Sequence, residues 1–333
     1  MKKVAFVIPH FGHFPNYFQL FLNSCADKKY VDFLIFTDDR TSYNYPSNVK
    51  VYYTTLQKVE KRINALLDLE CQVEQAYKLC DFRPVYGLIF EKYLKEYAYW
   101  GYCDTDLIFG DLDSYLEPVL EKDYDKLFYL GHCTLFKNDT DNNRMFSKEI
   151  DGKKRWHEVF HNFESCHFDE SFENGINYIY EYSSKKVYNK NFSADIYTHG
   201  TKFYVVSLPP KSGVFNIKKE GYVDRNGETL FIYDNGKIFQ YSIEDNQLKK
   251  QEYMYIHLQK REMKVEIEPT SSVYKIIPNV FEALETESVM LENFHLIRKY
   301  YFTFHKIKLI YSLKKKHLKI RKRRLMSRLK GSI

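Results

Sequence analysis

Apolar residues fall into short runs near the start of the chain. Those at 2–9 (KKVAFVIP), 31–39 (VDFLIFTDD) and 49–55 (VKVYYTT) predict strands, the first of them buried. Between these runs, apolar positions return at helical spacing over 17–27, and 56–80 carries the same period with its charged positions facing outward. Pro84 breaks the pattern in 81–97, which then resumes as helix. A further strand runs through 99–112 (YWGYCDTDLIFGDL). The order strand, helix, strand, strand, helix, helix, strand opens an α/β fold. Beyond it, 112–124 reads as helix, 126–138 as strand and 138–183 as mixed helix and loop. Asn-Gly pairs at 226–227 and 235–236 sit between alternating aromatic runs and predict a small β-meander at about 214–243. Strands follow at 252–257 and 265–269. No repeat or flexible linker intervenes, so 1–295 is expected to form one domain with the meander inserted.

Composition changes this picture in two places. Aromatic residues make up 17% of the chain, so material for a core is plentiful. Charge is uneven: from Arg298 onward there are 14 of the 50 basic residues and none of the 44 acidic ones, which leaves a net of −8 for the first 297 residues. The chain is an acidic body with a basic tail, 296–333. No window reaches the roughly 18 apolar residues of a membrane span. The six cysteines form no CxxC pair and the first apolar run lacks a cleavage site, so a cytoplasmic protein with reduced thiols is expected.

Candidate chemistry collects where strands end. Asp104 and Asp106 lie two apart in an otherwise apolar run, and strand alternation would point both to one face. Two like charges beside an apolar interior are costly unless a cation joins them. Pro9 to His13 follows the first strand and Thr37-Asp38-Asp39 the second, so three polar strand ends suggest one shared cleft. His257, in YMYIHLQKR, precedes Lys260 and Arg261. A histidine, two carboxylates and clustered cations suit a metal-bound diphosphate. Imidazole beside carboxylate favours Mn²⁺ over the all-oxygen shell usual for Mg²⁺.

The blocks VIPHFGHFPNYFQLFLNSC, DFLIFTDD, DFRPVYGLIF, YWGYCDTDLIFGDL, YLGHCTLFKND and YIHLQKR, in that order, resemble the GT-A glycosyltransferases, specifically the bacterial capsule and O-antigen enzymes. The resemblance covers roughly residues 1–262, weakly over 140–240. It implies a Rossmann-like mixed sheet flanked by helices, a UDP-sugar donor carrying a hexose such as Gal, Galf, Glc or GlcNAc, and Mn²⁺ or Mg²⁺. It implies that Pro9, Thr37, Asp38 and Asp39 hold the base and ribose, that Asp104 faces ribose or metal, and that Asp106 binds the metal directly. His257 would complete the metal shell. Lys260 or Arg261 would face the diphosphate, Arg83 would be another donor-side cation, and His132 and Asn138 would lie near the sugar or acceptor.

An inverting transfer also needs a general base for the acceptor hydroxyl. The cluster CHFDESFENG offers Asp169 first, Glu170 second and Glu173 after them. Phe11, Phe14, Trp156 and Phe160 are candidate sugar platforms, and Asp111 and Asp113 are expected to cap the helix that starts near Ser114. The basic tail is expected to form an amphipathic helix on an anionic membrane face, where a lipid-diphosphate-linked saccharide acceptor would be met. Three other classes stay open: a nucleotide-sugar-binding protein without turnover, a metal-dependent hydrolase, and a nucleic-acid-binding protein using the tail. The acidic body argues against nucleic acid, and no HExxH or two-metal ligand set supports hydrolysis.

Overall fold

The computed structural model describes residues 4–170, 175–198, 200, 202–207, 222–223 and 229–299, with 301, 304, 307–308, 310–315, 318 and 321. The chain begins β1 (Val4–His10), α1 (Phe18–Cys25), β2 (Val31–Thr37), β3 (Val49–Tyr53) and α2 (Leu56–Leu67). A 3₁₀ stretch, Ala76–Val85, leads into the short helices α3 (Tyr86–Ile89) and α4 (Glu91–Leu94). Then come β4 (Tyr99–Cys103), β5 (Leu107–Phe109), α5 (Leu112–Leu120), β6 (Lys126–Leu127), β7 (Cys133–Lys137), α6 (Thr140–Arg144), α7 (Arg155–His161) and α8 (Ile176–Tyr182). The second half is strand-rich: β8 (Val187–Tyr188), β9 (Ser193–Asp195), β10 (Val206–Ser207), β11 (Tyr222–Val223), β12 (Thr229–Asp234), β13 (Lys237–Glu244) and β14 (Gln247–Tyr253). It closes with β15 (Tyr255–His257), β16 (Lys264–Glu266), β17 (Val273–Ile277), β18 (Val280–Ala283) and α9 (Phe294–Ile297).

The main sheet has the order β3-β2-β1-β4-β7-β6-β8. Its first four strands are parallel, and β7 turns antiparallel against β4. Parallel strands packed on both faces need apolar residues at every position, which is why VAFVI and FLIF carry no alternation. Val4, Phe6, Phe33 and Ile35 enter one core layer; Ala5, Val7, Leu34 and Phe36 enter the other. Phe6 is in register with Phe33, their rings stacked at 5.5 Å. The polar exception, Asp32, is buried but accepts from the Tyr97 hydroxyl at 2.7 Å. At Gly101, where β4 meets β7, a Cβ would stand 2.1 Å from the Thr134 carbonyl oxygen, so no other residue fits.

Several expectations are corrected. The helix expected over 56–80 ends at Leu67, because Asp68 takes a left-handed backbone (φ 52°) and the chain turns away. The strand expected over 126–138 splits into β6 and β7, with a reversal at Phe128 (φ 68°) between them. The meander grows into a six-stranded sheet, β14-β13-β12-β17-β18-β16, reaching residue 283. Asn235-Gly236 makes its first turn as expected, both residues at positive φ. Residues 214–221 and 224–228, with the other Asn-Gly pair, lie outside the described residues. Asp111 caps α5 by accepting from the Ser114 N–H, as expected, and all six thiols are unpaired. Among the described residues, no helix is long and apolar enough to cross a membrane.

Candidate active site

A third sheet builds the site. It has only three short strands, β5-β15-β9, and lies past the end of β4. β4 ends at Cys103, so Asp104, Thr105 and Asp106 form a turn rather than one face of a strand; their convergence comes from that turn. The chain then re-enters as β5, antiparallel to β15, with Leu107 opposite His257. On the other side β9 runs parallel to β15 and sets Asp195 opposite His257. Register therefore brings three distant segments to one point. His257 Nδ1 lies 2.8 Å from Asp195 Oδ1, and its Nε2 faces Asp106 Oδ1 at 3.4 Å and Asp104 Oδ2 at 3.9 Å.

The backbone beyond β15 completes the pocket. Gln259 and Lys260 both hold positive φ, an uncommon pair for non-glycine residues. This turn aims the Lys260 N–H at Asp106 Oδ2, 2.5 Å away, and sets its ammonium 4.0 Å over the Tyr77 ring. Burial alone would raise the Asp106 carboxyl, but His257 and the Lys260 N–H outweigh it and hold Asp106 well below the usual carboxylate range. His257 is pushed well above its ordinary value, because Asp106 and Asp195 overcome the opposing effect of burial. One donor atom from each of Asp104, Asp106 and His257 lies within 4.8 Å of the others. Two carboxylates and an imidazole whose far nitrogen is held by a third carboxylate suit Mn²⁺ by donor chemistry.

Arg83 joins this centre to a second acidic pair. Projecting from the 3₁₀ stretch, it pairs with Asp104, donates to the Gly131 carbonyl at 2.6 Å, and donates to Asp169 Oδ2 at 2.8 Å. Asp169 is buried and its Oδ1 has no hydrogen-bond partner among the described residues. Burial pushes its carboxyl up to about 7 against the pull of Arg83, and burial with the charge of Asp169 pushes Glu170 up to about 8. Gly131 makes room for this pair, since a Cβ there would stand 3.0–3.1 Å from the carboxyl oxygens of both.

The loop carrying Asp169 is fixed from below. Asp81, fully buried, accepts from the N–H groups of Cys166 and Phe168 at 2.9 Å. Its ion-pair partner Lys78, at 2.7 Å, donates to the carbonyls of Val159 and Glu164. Cys166 is the one thiol of the six that is not buried.

The metal-centre residues line a cavity of about 700 Å³ together with Arg83, Asp169 and Glu170, and it also takes in Pro9, His10, Tyr77 and His132; Lys78, Asp81 and Cys166 are not part of its lining. It brings together Pro9, Arg83, Asp104, Asp106, His132, Asp169, Glu170, His257 and Lys260. Thr37, Asp38 and Asp39 stay outside it and organise the loop after β1. Asp38 accepts from the Gly12 N–H at 2.8 Å, Asp39 from the Phe14 N–H at 3.2 Å, and Thr37 Oγ1 from the Asp39 N–H at 3.0 Å. Arg261 borders the cavity, but its guanidinium is buried against the carbonyls of Tyr197 and Gly200 and the Asn279 side chain. Asn138 bonds the carbonyls of Leu94 and Tyr97, away from the cleft. Phe160 is core, Trp156 packs on Phe146, and Glu173 lies outside the described residues.

Sequence reading missed Asp195, Tyr77 and Gln259. Asp195 sits in a three-residue strand within NFSADIY (191–197), whose only signal is a carboxylate amid apolar neighbours; its pairing with His257 is a matter of register. No curated protein matches the chain. Residues 6–285, which include every group named in the cleft, match DUF6625, a family of unknown function, and the chain belongs to that family.

Proposed function

We propose that the chain is a metal-dependent glycosyltransferase of GT-A fold, moving a hexose from a UDP-sugar to a lipid-linked saccharide with inversion. The observation that carries this reading is the meeting of Asp104, Asp106 and His257 at the carboxyl end of a parallel β-sheet, in a cleft with Arg83 and Lys260 at its wall. The strand order, with parallel strands giving way to an antiparallel β7, also suits that fold.

Asp104, Asp106 and His257 would hold Mn²⁺ or Mg²⁺, which when bound supplies positive charge against the leaving diphosphate. Asp195 keeps the His257 ring aimed at the two aspartates. Lys260, exposed at the rim, is within reach of phosphate oxygens and adds fixed positive charge where negative charge grows. Asp169 takes the proton of the acceptor hydroxyl, with Glu170 beside it. Arg83 spans the two halves, orienting Asp169 with one nitrogen and Asp104 with the other.

The basic tail would rest on an anionic membrane surface. Residues 310–315 are helical, and Ile307, Ile310, Tyr311, Leu313 and Leu318 are exposed. Most of the tail lies outside the described residues. On this reading the enzyme acts at the inner face of the cell membrane in surface polysaccharide synthesis.

A thermal-shift panel of nucleotide sugars, each with and without Mn²⁺, tests the proposal. A UDP-sugar should raise the melting temperature by several degrees in Mn²⁺, since ligand at 100 times its Kd adds about 2.7 kcal/mol. Asp106→Asn should remove the Mn²⁺-dependent part while keeping the far-UV spectrum. A panel in which no nucleotide sugar responds to Mn²⁺ sinks the assignment.

A further inference from the structure

The centre holds a second set of donors. One atom from each of His132, Asp195 and His257 also lies within 4.8 Å of the other two. His132 is 6% exposed, its ring centroid is 4.1 Å from that of His257, and its Nε2 is buried with no hydrogen-bond partner among the described residues. Asp195 receives both the Gln259 amide, at 2.7 Å, and His257 on a single oxygen, Oδ1, which leaves Oδ2 unbonded among the described residues. Two unused donors therefore remain beside His257: Asp195, on the Nδ1 side opposite Asp104 and Asp106, and His132 Nε2.

We infer that His132, Asp195 and His257 form a second cation position selective for a nitrogen-preferring transition ion such as Zn²⁺, and that its occupation excludes the ion held by Asp104 and Asp106. The selectivity follows from the donors. Two imidazoles and one carboxylate make a three-ligand zinc set, with a fourth place open to water in the cavity, whereas Asp104, Asp106 and His257 are richer in oxygen and suit Mn²⁺ or Mg²⁺. The exclusion follows from the ring. A neutral imidazole has one lone pair. When Asp195 holds the proton on Nδ1, the lone pair on Nε2 serves the aspartate side. When an ion takes Nδ1, the proton sits on Nε2 and is donated toward Asp106. The inference deepens the proposed function and rests on its placing the donor's ion at Asp104 and Asp106.

Metal binding without any sugar nucleotide tests it on the full chain. Calorimetry should give one Zn²⁺ per chain, and saturating Zn²⁺ should displace bound Mn²⁺, read as recovery of the free-Mn²⁺ EPR signal. His132→Gln should weaken Zn²⁺ at least tenfold and Mn²⁺ less than twofold; Asp106→Asn should do the reverse. Melting curves of both variants check folding, and because an N/O site of either kind prefers Zn²⁺ to Mn²⁺, the opposite responses of the two variants are the deciding result. Zn²⁺ affinity unchanged in His132→Gln, or Zn²⁺ and Mn²⁺ bound together, overturns the inference. Zn²⁺ lost in His132→Gln with no Mn²⁺ bound to wild type upholds this site and counts against the metal-dependent transferase.

Discussion

Asp169 shows how burial sets a residue's use. A carboxyl raised to about 7 is neutral in mild acid and can accept a proton only after losing its own. Turnover should therefore climb as pH rises from about 6 to 8, and Asp169→Asn should erase that limb. The same substitution should lower turnover about 10²–10⁴-fold while calorimetry with UDP and Mn²⁺ stays unchanged. Stability moves the other way. The folded group holds its proton above the ordinary value near 4, so its contribution is complete below that pH and is lost as pH rises through 7. The urea midpoint should fall between pH 5 and pH 8, and Asp169→Asn should flatten that fall. At this scale the sequence was partly legible. Asp106 and His257 stood out because charge in an apolar run demands a partner. Thr37 to Asp39 lie outside the cavity and bond loop N–H groups, a use that composition does not separate from ligand binding. Arg261 misled because the left-handed pair before it, which no local pattern announces, turns it inward.

Among the elements, β1 and β2 were readable because interior parallel strands have to be apolar throughout. The six-stranded sheet was underestimated, since β17 joins it by pairing with β12 across a long sequence distance and β18 follows as its hairpin partner. Asp195 was invisible for a related reason: β9 has three residues and is defined by its neighbour. The 3₁₀ stretch and the 159–169 loop form another such unit, held by Asp81 and Lys78. Breaking a buried pair by removing one partner typically costs about 3–5 kcal/mol, and Asp81 also satisfies two backbone N–H groups. Asp81→Asn should lower unfolding free energy by that order in urea titration. Replacing Lys78 alone should do the same, and a loss below about 1 kcal/mol in both would show that the loop is held elsewhere.

For the whole molecule, the division into acidic body and basic tail leads to a prediction about membrane attachment. Each cation near an anionic surface contributes roughly 1 kcal/mol before screening, so a partial contact gives reversible attachment. Full-length protein should float with anionic vesicles and release as salt rises. The truncation belongs after Tyr301, because Arg298 is buried and Tyr301 bonds Glu282. A chain ending there should stay behind in the gradient. Equal flotation of both would move attachment to the body.

The distribution of thiols also gives the protein a reporter of its own. Five cysteines are buried, while Cys166 reaches solvent three residues before Asp169, its N–H held by Asp81. Burial and Asp81 raise its thiol above the usual value, so alkylation should be slow near neutrality and quicken with pH. Iodoacetamide should modify one thiol in the native chain and all six in urea. A nucleotide sugar that orders the cleft should slow that single reaction, giving a binding assay that needs no engineered residue.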